Sequence, residues 1–367
     1  MIPVTKPYLP SREKLDKYID GIYEREWLTN NGPLVQELTK RLEEYLGVEN
    51  LLLVSNGTLA LQIAYRALGI HEPVNGKPAE AITTPFTFVA TSSSLEWEGI
   101  EPVFADIDPD TWCLDPKNIE PAITAQTKAI VPVHVFGNAC EVEAIDELAK
   151  NNNLKVIYDA AHAFGVKYKD ESLLKWGDAA TLSFHATKVF HTIEGGAIVF
   201  KRKEDLEKAK KLISFGITGP ETIEEVGINA KMNEFQAAMG LAVLDEIEHN
   251  YYAREKIWSY YKEHFSGGFK TQFLNLQSTN NYGYFPLLFN DERELKNAIF
   301  KLNLCDIFPR RYFYPSLSEC ALYNEVLDMP TSRDVSSSVL CLPIYKNLST
   351  DVLVTIGEIL DGILQSR

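Results

Sequence analysis

Short apolar runs alternate with amphipathic stretches along the first two thirds of the chain. Such runs, each followed by residues with helical periodicity, are typical of a largely parallel sheet covered by helices. The predicted strands are residues 51–54, 81–84, 101–105, 129–134, 155–158, 180–183 and 196–200, and the first predicted helices are residues 33–46 and 59–68. The pattern therefore predicts an α/β fold for this part of the chain.

The pattern changes after a predicted helix at residues 233–249. Beyond it, one apolar run at residues 282–289 lies among longer helical stretches, an order typical of a smaller α+β unit. The helices predicted there are residues 252–265, 292–302 and 350–364. We therefore predict a large domain over residues 1–248 and a small C-terminal domain over residues 249–367.

Composition limits the classes of partner. The chain has 367 residues, of which 45% are hydrophobic and 24% charged, and this is the balance of a globular protein with a substantial core. A net charge of −15 argues against nucleic acid as a partner, since phosphate backbones are bound through excess lysine and arginine. No apolar run approaches the roughly 20 residues of a membrane helix. The start also lacks a signal-peptide pattern, so we expect a cytoplasmic protein.

Cysteine and histidine give little support for a metal site or a disulfide framework. The five cysteines are odd in number and show no C-x-x-C spacing. His185 and His191 are six positions apart, with no acidic or cysteine partner at ligand spacing, so we interpret them as hydrogen-bonded polar residues. We predict no metal.

The residues around Lys188 indicate a chemistry. Lys188 ends the segment Ser-Phe-His-Ala-Thr-Lys at residues 183–188, and Asp159 ends an apolar run 29 positions earlier. An enzyme that holds pyridoxal phosphate needs a lysine to form the Schiff base and a carboxylate to keep the ring nitrogen protonated. Taken alone, Lys188 also fits a solvated surface lysine and Asp159 a helix cap.

A turn between a strand and a helix, Ser-Asn-Gly-Thr at residues 55–58, adds a possible phosphate site. Backbone N–H groups at a helix start attract anions. The same turn fits a simple helix cap, so its meaning depends on the other motifs.

Taken together and in order, these motifs give the chain a specific resemblance. It resembles the DegT/DnrJ/EryC1/StrS family of sugar aminotransferases, which are fold-type I pyridoxal-phosphate enzymes related to aspartate aminotransferase. The segments that carry the resemblance are residues 27–33, 55–61, 84–91, 106–112, 132–137, 159–162, 183–188 and 229–238. The resemblance implies a large domain with a mostly parallel, mixed sheet and a smaller α+β domain.

The resemblance also implies roles for single residues. Lys188 and Asp159 are the implied catalytic pair, with Asp159 on the pyridine nitrogen. Phe88 would stack on the cofactor ring, and His162 would face the ring hydroxyl. The implied cofactor-binding set is Gly57, Thr58, Phe88, Asp159, His162, Ser183, Lys188 and Asn229. Asn229 would reach the phosphate of a neighbouring subunit, which implies a homodimer with shared active sites.

The implied reaction is transfer of an amino group from L-glutamate to a nucleotide-linked keto sugar. The motifs favour dTDP-4-keto-6-deoxy-D-glucose as acceptor, giving dTDP-4-amino-4,6-dideoxy-D-glucose for a glycan such as the O-antigen of lipopolysaccharide. The implied substrate-binding residues are Thr29, Asn30, Lys231, Arg310, Arg311 and Tyr314. Lys231 departs from the arginine of many members, and the pair Arg310 and Arg311 fits a solvated loop equally well.

Other functions compete with this one. The acceptor could instead be a 3-keto sugar, a UDP-linked sugar or a cyclitol. A dehydratase branch of the family carries histidine at the lysine position, so Lys188 argues against it. A pyridoxal-phosphate-binding regulatory protein without turnover is the non-enzymatic alternative.

Overall fold

The structure, a computed structural model, describes residues 1–265, 267–323 and 328–365. The strands of these residues are β1 Ile2–Pro3, β2 Leu51–Val54, β3 Ala79–Thr83, β4 Ile100–Phe104, β5 Thr127–Val131, β6 Lys155–Asp159, β7 Lys167–Tyr168, β8 Glu171–Ser172, β9 Ala179–Ser183, β10 Gly196–Phe200, β11 Ile217–Gly219, β12 Thr222–Ile223, β13 Lys270–Thr271, β14 Pro286–Leu288, β15 Ile307–Phe308 and β16 Val339–Cys341. The α-helices are α1 Arg12–Arg25, α2 Pro33–Leu46, α3 Gly57–Ala67, α4 Ala90–Trp97, α5 Pro116–Ile119, α6 Val142–Asn151, α7 Lys203–Leu212, α8 Glu234–Leu244, α9 Ile247–His264, α10 Glu292–Leu304, α11 Pro330–Ser338 and α12 Thr350–Leu364.

A central sheet of seven strands carries the fold, in the order β2-β10-β9-β6-β5-β3-β4. The strands from β9 to β4 pair in parallel, whereas β10 runs antiparallel to both of its neighbours. The predicted α/β fold with a mostly parallel, mixed sheet is confirmed. Strands buried on both faces read as continuous apolar runs, which is why the sequence showed them clearly.

Helices cover both faces of this sheet. Leu51 and Leu53 of β2 belong to one apolar cluster, and Leu52 and Val54 belong to another. Successive side chains of a strand point to opposite faces, so the two clusters are the two sides of the sheet. Helix α2 packs on the first side and α3 on the second.

A third apolar cluster lies in the C-terminal part of the chain and contains buried residues from Ile257 to Ile363. It surrounds the small antiparallel sheet β13-β14-β16 and the helices α10 and α12. Strand β1, at the start of the chain, pairs in parallel with β15. The first residues therefore contact the part that we predicted as the small domain, and the division at residue 248 stays a prediction.

The bounds of one predicted helix are wrong. The predicted helix at residues 233–249 is not continuous in the structure. Helix α8 ends at Leu244 and α9 begins at Ile247, with the helical backbone interrupted at Asp245 and Glu246. The carboxylate of Asp245 accepts a bond from Tyr18 at 3.0 Å and pairs with Arg41 at 2.7 Å, while Glu246 accepts one from Tyr8 at 2.7 Å. These contacts tie the break to the N-terminal segment, a long-range effect that helical periodicity does not show.

The apolar run at residues 282–289 forms a strand only over Pro286–Leu288, which is β14. The residues before it form a turn around Asn281, whose Oδ1 accepts the N–H of Gly283 at 3.1 Å. Asparagine side chains often hold such turns by bonding to backbone two residues on.

All five cysteines, each of which lies in the described residues, are free thiols. Within the described ranges, no group of three or more metal-ligating side chains is close enough to hold an ion. No helix among them is long and apolar enough to cross a membrane.

Candidate active site

A cavity of about 290 Å³ opens where several strands of the central sheet end. Asp159 is the last residue of β6, Ser183 is the last of β9, and Gly57 begins α3 just after β2. In open α/β sheets, ligands bind at this carboxyl edge of the strands. The cavity brings together eight residues that we singled out from the sequence: Gly57, Thr58, Phe88, Asp159, His162, Ser183, Lys188 and Arg310.

Lys188 lies in a turn beyond β9, where its N–H donates to the carbonyl of His185 at 2.9 Å. Its Nζ points into the cavity and donates to Tyr284 Oη at 3.3 Å. Burial lowers the pKa of Lys188 to about 8, and the nearby Asp159 carboxylate opposes part of this fall. A minority of the amine is therefore neutral near pH 7, and this neutral form is the one that can take up a proton or attack a carbonyl.

Asp159 is 6% exposed. Burial raises the pKa of Asp159, while the Thr91 hydroxyl at 2.7 Å, the Ala161 N–H at 3.1 Å and the charge of Lys188 act in the opposite direction. A buried carboxylate is strongly stabilised by a cation placed against it. The site is therefore suited to a positively charged group.

The start of α3 forms a narrow cradle. Asn56 caps the helix, with its side chain accepting the Leu59 N–H at 2.8 Å. A Cβ added to Gly57 would lie 2.9 Å from Ser183 Cβ, and one added to Gly196 would lie 2.7 Å from the carbonyl carbon of Asn56. Close approach of β9, β10 and the helix start thus requires glycine at both positions. It leaves the N–H groups of α3 and the Ser183 hydroxyl near one point, a donor set that suits a phosphate.

His162 lies three residues after Asp159, the end of β6, and is 9% exposed. Its Nδ1 accepts the Phe136 N–H at 3.2 Å, so in the neutral ring the proton is assigned to Nε2. Burial, together with the charge of Lys188, lowers the pKa of His162 well below its usual value. The ring is therefore a neutral donor at the cavity. Phe88, on another wall, exposes 52% of its surface.

Of the six singled-out residues that lie outside this cavity, four come from residues 29–30 and 229–231. Asn30 and Lys231 line a separate groove of about 620 Å³. Asn229 forms a bridge with Ser214, and the Thr29 carbonyl accepts a bond from Trp27 at 2.6 Å. Within one chain, then, these four do not meet Lys188.

The two adjacent arginines separate. Arg310 lines the cavity, with its guanidinium 4.7 Å from the centre of the Tyr312 ring. Arg311 donates from Nη2 to Glu292 Oε1 and to the Ser337 carbonyl, both at 2.9 Å.

Arg311 and Tyr314, which the resemblance implied as substrate-binding residues alongside Arg310, do not line this cavity. Neighbouring side chains on an extended backbone point in opposite directions, and Arg310 is extended where it bridges Cys341. Tyr314 packs its ring 3.3 Å from the Arg311 guanidinium and so lies with it outside the cavity.

Sequence reasoning missed several residues that line the cavity or bond to its lining residues. Thr91, which bonds to Asp159, lies in a segment that carried the resemblance but was given no role. Tyr284, Tyr312 and Phe313 come from the C-terminal part and form an aromatic wall with His162. Only the tertiary fold brings that wall to Lys188, so no local signal at these positions could have found it.

The sequence pattern that defines the DegT/DnrJ/EryC1/StrS aminotransferase family matches residues 11–361. The chain belongs to this family. As a DegT/DnrJ/EryC1/StrS family member it is a sugar aminotransferase and depends on pyridoxal phosphate.

Individual relatives within the family are similar over nearly their full length. A dTDP-4-amino-4,6-dideoxy-D-glucose transaminase of Shigella dysenteriae is 44% identical over 95% of both chains. A protein of the same name from Escherichia coli is 40% identical over 98% of both chains. The crystal structure of DesI in the presence of its TDP-sugar product is 31% identical, covers 99% of this chain and 93% of its own, and has a TM-score of 0.90.

The cavity fits the cofactor of the family. The glycine cradle offers donors for a phosphate, the buried Asp159 suits a protonated ring nitrogen, and Lys188 supplies an amine of lowered proton affinity. The cavity thus offers a partner of matching chemistry for the phosphate, the ring nitrogen and the aldehyde of the cofactor.

Proposed function

We propose that the chain transfers the amino group of L-glutamate to dTDP-4-keto-6-deoxy-D-glucose and so makes dTDP-4-amino-4,6-dideoxy-D-glucose. The observation that carries this proposal is the 44% identity, over 95% of both chains, to a transaminase named for that product. A second relative of that name at 40% identity supports it. The destination of the sugar in a glycan such as the O-antigen, and the cytoplasmic location, remain predictions.

Lys188 is the proposed catalytic base and the point of covalent attachment of the cofactor. Pyridoxal phosphate, when bound, supplies the carbonyl carbon that takes up the amino group and the ring that withdraws electrons. The neutral amine of Lys188 would remove the proton from the α-carbon of glutamate and, once charged, deliver it to the cofactor carbon that has taken up the nitrogen. In the second half of the reaction the same amine would remove a proton from that carbon and deliver it to the acceptor carbon of the sugar. A pKa of about 8 allows both forms near neutral pH.

Asp159 is the proposed partner of the ring nitrogen. Its buried carboxylate favours a protonated ring because a cation there relieves the cost of burying the negative charge. Thr91 and Ala161 hold its two oxygens and leave the carboxylate directed to one place.

The remaining cavity residues bind and orient. We assign Gly57, Thr58 and Ser183 to the phosphate, His162 to the ring oxygen through its Nε2 proton, and Phe88 to the face of the ring. Arg310 is the proposed contact for a negatively charged group of a substrate. Its guanidinium has no ion-pair partner among the residues that the structure describes.

Thr29, Asn30, Asn229 and Lys231 are proposed to serve the active site of a second copy. Large apolar side chains lie exposed along the neighbouring segments and suit an interface between copies. They include Ile193, Phe215, Ile217, Ile223, Val226, Ile228 and Phe235, which expose between 41% and 83% of their surface. We therefore propose a homodimer with shared active sites.

Mixing two inactive variants tests the shared site. Lys188→Ala and Asn229→Ala are purified separately, and Asn229→Ala alone should lose most of its activity. After subunit exchange, activity should return, because each mixed dimer then has one site with both residues intact. A mixture of Lys188→Ala with Asp159→Asn is the control and should stay inactive, since both residues lie in the same site of one chain. No recovery in the first mixture would contradict the shared site.

Product analysis tests the acceptor. The enzyme is incubated with L-glutamate and dTDP-4-keto-6-deoxy-D-glucose, and the product is identified by mass spectrometry and by nuclear magnetic resonance at C4. We expect the 4-amino sugar and 2-oxoglutarate in equal amounts. Parallel incubations with a 3-keto, a UDP-linked and a cyclitol acceptor should be at least about 100-fold slower. Faster turnover of one of these would overturn the proposed acceptor, and no turnover of any, with cofactor bound, would favour the regulatory alternative.

A further inference from the structure

Tyr284 is the residue through which the C-terminal part of the chain reaches Lys188. It lies between the Asn281 turn and strand β14, and it lines the cavity. Its Oη accepts a hydrogen bond from Lys188 Nζ at 3.3 Å, and Nζ lies 5.9 Å from the centre of its ring. Within the described ranges, this is the one protein hydrogen bond that Nζ makes.

The position of Tyr284 is fixed from several sides. Its ring packs 4.6 Å from the ring of His162, 5.2 Å from that of Phe136, and edge-on at 5.8 Å to Tyr312. Aromatic contacts of this kind hold a ring in one orientation. The hydroxyl therefore has a defined place relative to the amine.

The backbone turn before Tyr284 is hydrogen-bonded to the segment that follows β6 of the central sheet. Asn281, which is 2% exposed, donates from Nδ2 to the carbonyls of His162 at 2.7 Å and Phe164 at 3.1 Å. A Cβ added to Gly137 would lie 2.9 Å from the His162 carbonyl and 3.0 Å from Asn281 Oδ1, so this junction is closely packed. The turn thus links the second part of the chain to the residues that follow Asp159.

We propose that Tyr284 is a positioning residue: its hydroxyl holds the Lys188 amine in the orientation that the proposed amino transfer needs. The inference rests on the proposed function for its catalytic consequence, and on geometry alone for the contact. As an acceptor, the hydroxyl favours the charged amine and directs its N–H, which counters part of the burial that disfavours that charge. Among the other titratable groups that line the cavity, Asp159 favours the charge of Lys188 and His162 is neutral. Arg310, Tyr312, His185 and Glu194 also belong to this lining.

Tyr284→Phe is the test variant, since it removes the hydroxyl and keeps the ring. Tyr282→Phe is the matched control. Tyr282 lies two residues before Tyr284 in the sequence and outside the cavity. Its hydroxyl donates to Glu255 Oε1 at 2.8 Å. Both variants lose one oxygen from the same segment, so a difference between them reports the place of the hydroxyl.

The first readout uses cofactor-free protein. The Lys188 amine is labelled with acetic anhydride across a pH range, and the labelled peptide is quantified by mass spectrometry. In Tyr284→Phe the midpoint of labelling should fall by about half a pH unit to one unit, because a hydrogen bond to the charged amine is lost. Tyr282→Phe should match the unchanged protein. This readout does not depend on the substrate, so it separates failure of this inference from failure of the proposed function.

The second readout is steady-state kinetics of the holoenzyme. Tyr284→Phe should lower kcat by about tenfold to 100-fold and leave KM for L-glutamate within about twofold, since positioning acts on the reacting state. Equal labelling midpoints and equal kcat in the two variants would overturn the inference. Thermal unfolding of the cofactor-free protein measures whether Tyr284→Phe folds. A variant that fails to fold would also overturn the inference, because the hydroxyl would then serve the fold.

Discussion

The two sides of the cavity differ in how they are built. One side, which we call the sheet side, consists of residues at strand ends and in the turns after them: Gly57, Asp159, Ser183 and Lys188. The other side is the aromatic wall of Tyr284, Tyr312 and Phe313 from the C-terminal part, and Arg310 lies beside it in the same cavity lining. Sheet topology alone places the first set, whereas the second set depends on how the two parts of the chain pack. We propose that the sheet side carries the reactive groups and that the wall orients them and the substrates.

Removing the amine of the sheet side should have the largest effect. Lys188→Ala should lower turnover by about 1000-fold or more, because no other amine lines the described cavity. The free energy of unfolding of the cofactor-free variant should not fall, since the lowered pKa shows that burying the charged amine is unfavourable. Steady-state rates and denaturant unfolding check both points. Retained turnover would mean that the sheet side does not carry the reaction.

Neutralising the carboxylate should come next. Asp159→Asn keeps the size of the side chain but removes the charge that suits a protonated ring nitrogen. We expect turnover to fall by about 100-fold or more. The bonds from Thr91 and Ala161 can still be accepted by the amide oxygen in part, so a large loss of stability is not expected. A thermal unfolding scan beside the rate measurement separates the two effects, and an unfolded variant would contradict the assignment.

The adjacent arginines sharpen the comparison beside the aromatic wall. Arg310→Gln should lower kcat/KM by about tenfold to 100-fold with little change in stability, because its guanidinium faces the cavity. Arg311→Gln should instead lower the free energy of unfolding by about 1–3 kcal/mol through loss of Glu292 and Ser337, and leave kcat/KM nearly unchanged. Kinetics and urea unfolding of both variants test this. If Arg311→Gln lowered kcat/KM and Arg310→Gln lowered the free energy of unfolding, Arg311 rather than Arg310 would face the cavity.

A substitution in the cradle should have a smaller effect. Gly57→Ala places a methyl group 2.9 Å from Ser183 Cβ, so β9 or α3 must move and cofactor affinity should fall by about tenfold. Gly362→Ala in α12 is the control, because a Cβ added there would have no atom within 4 Å. This substitution should slightly stabilise the protein. Equilibrium dialysis of the cofactor measures the difference. Equal affinities would mean that the cradle does not hold the phosphate.

The pH dependence of stability should show the buried amine with the smallest effect. The pKa of Lys188 is about 8 in the folded, cofactor-free protein, below its ordinary value of 10.5. Between these values the unfolded chain binds more protons, so this group makes the folded state relatively more stable as the pH rises from about 8 to 10.5. Subtracting the unfolding free energies of Lys188→Met isolates this contribution from those of the tyrosines. A difference that falls over that range would contradict the lowered pKa.

The sequence predicted the sheet side well for a physical reason. Strands buried on both faces are continuous apolar runs, so β2, β6, β9 and β10 could be located, and the polar residues at their ends could be grouped. Helix α2 was predicted with its observed bounds, because its apolar face and its flanking proline and glycine mark both ends.

Other parts could not be predicted from local pattern. Helix α1 was not predicted, and it fully buries only Ile22, with Leu15 and Tyr18 partly buried beside it. The break between α8 and α9 depends on Tyr8, Tyr18 and Arg41, more than 200 positions away. The separation of Arg310 from Arg311, and the contact of Tyr284 with Lys188, likewise follow from tertiary packing. The last two of these features also determine which side chains of the C-terminal part face the cavity.

Covalent attachment of the cofactor at Lys188 is the central claim, and borohydride reduction tests it most directly. The holoenzyme is reduced, digested and mapped by mass spectrometry, with Lys188→Ala treated in parallel. We predict one phosphopyridoxyl group, on the peptide that contains Lys188, and none in the variant. A label on another lysine, or no label in an active, cofactor-loaded enzyme, would contradict the account.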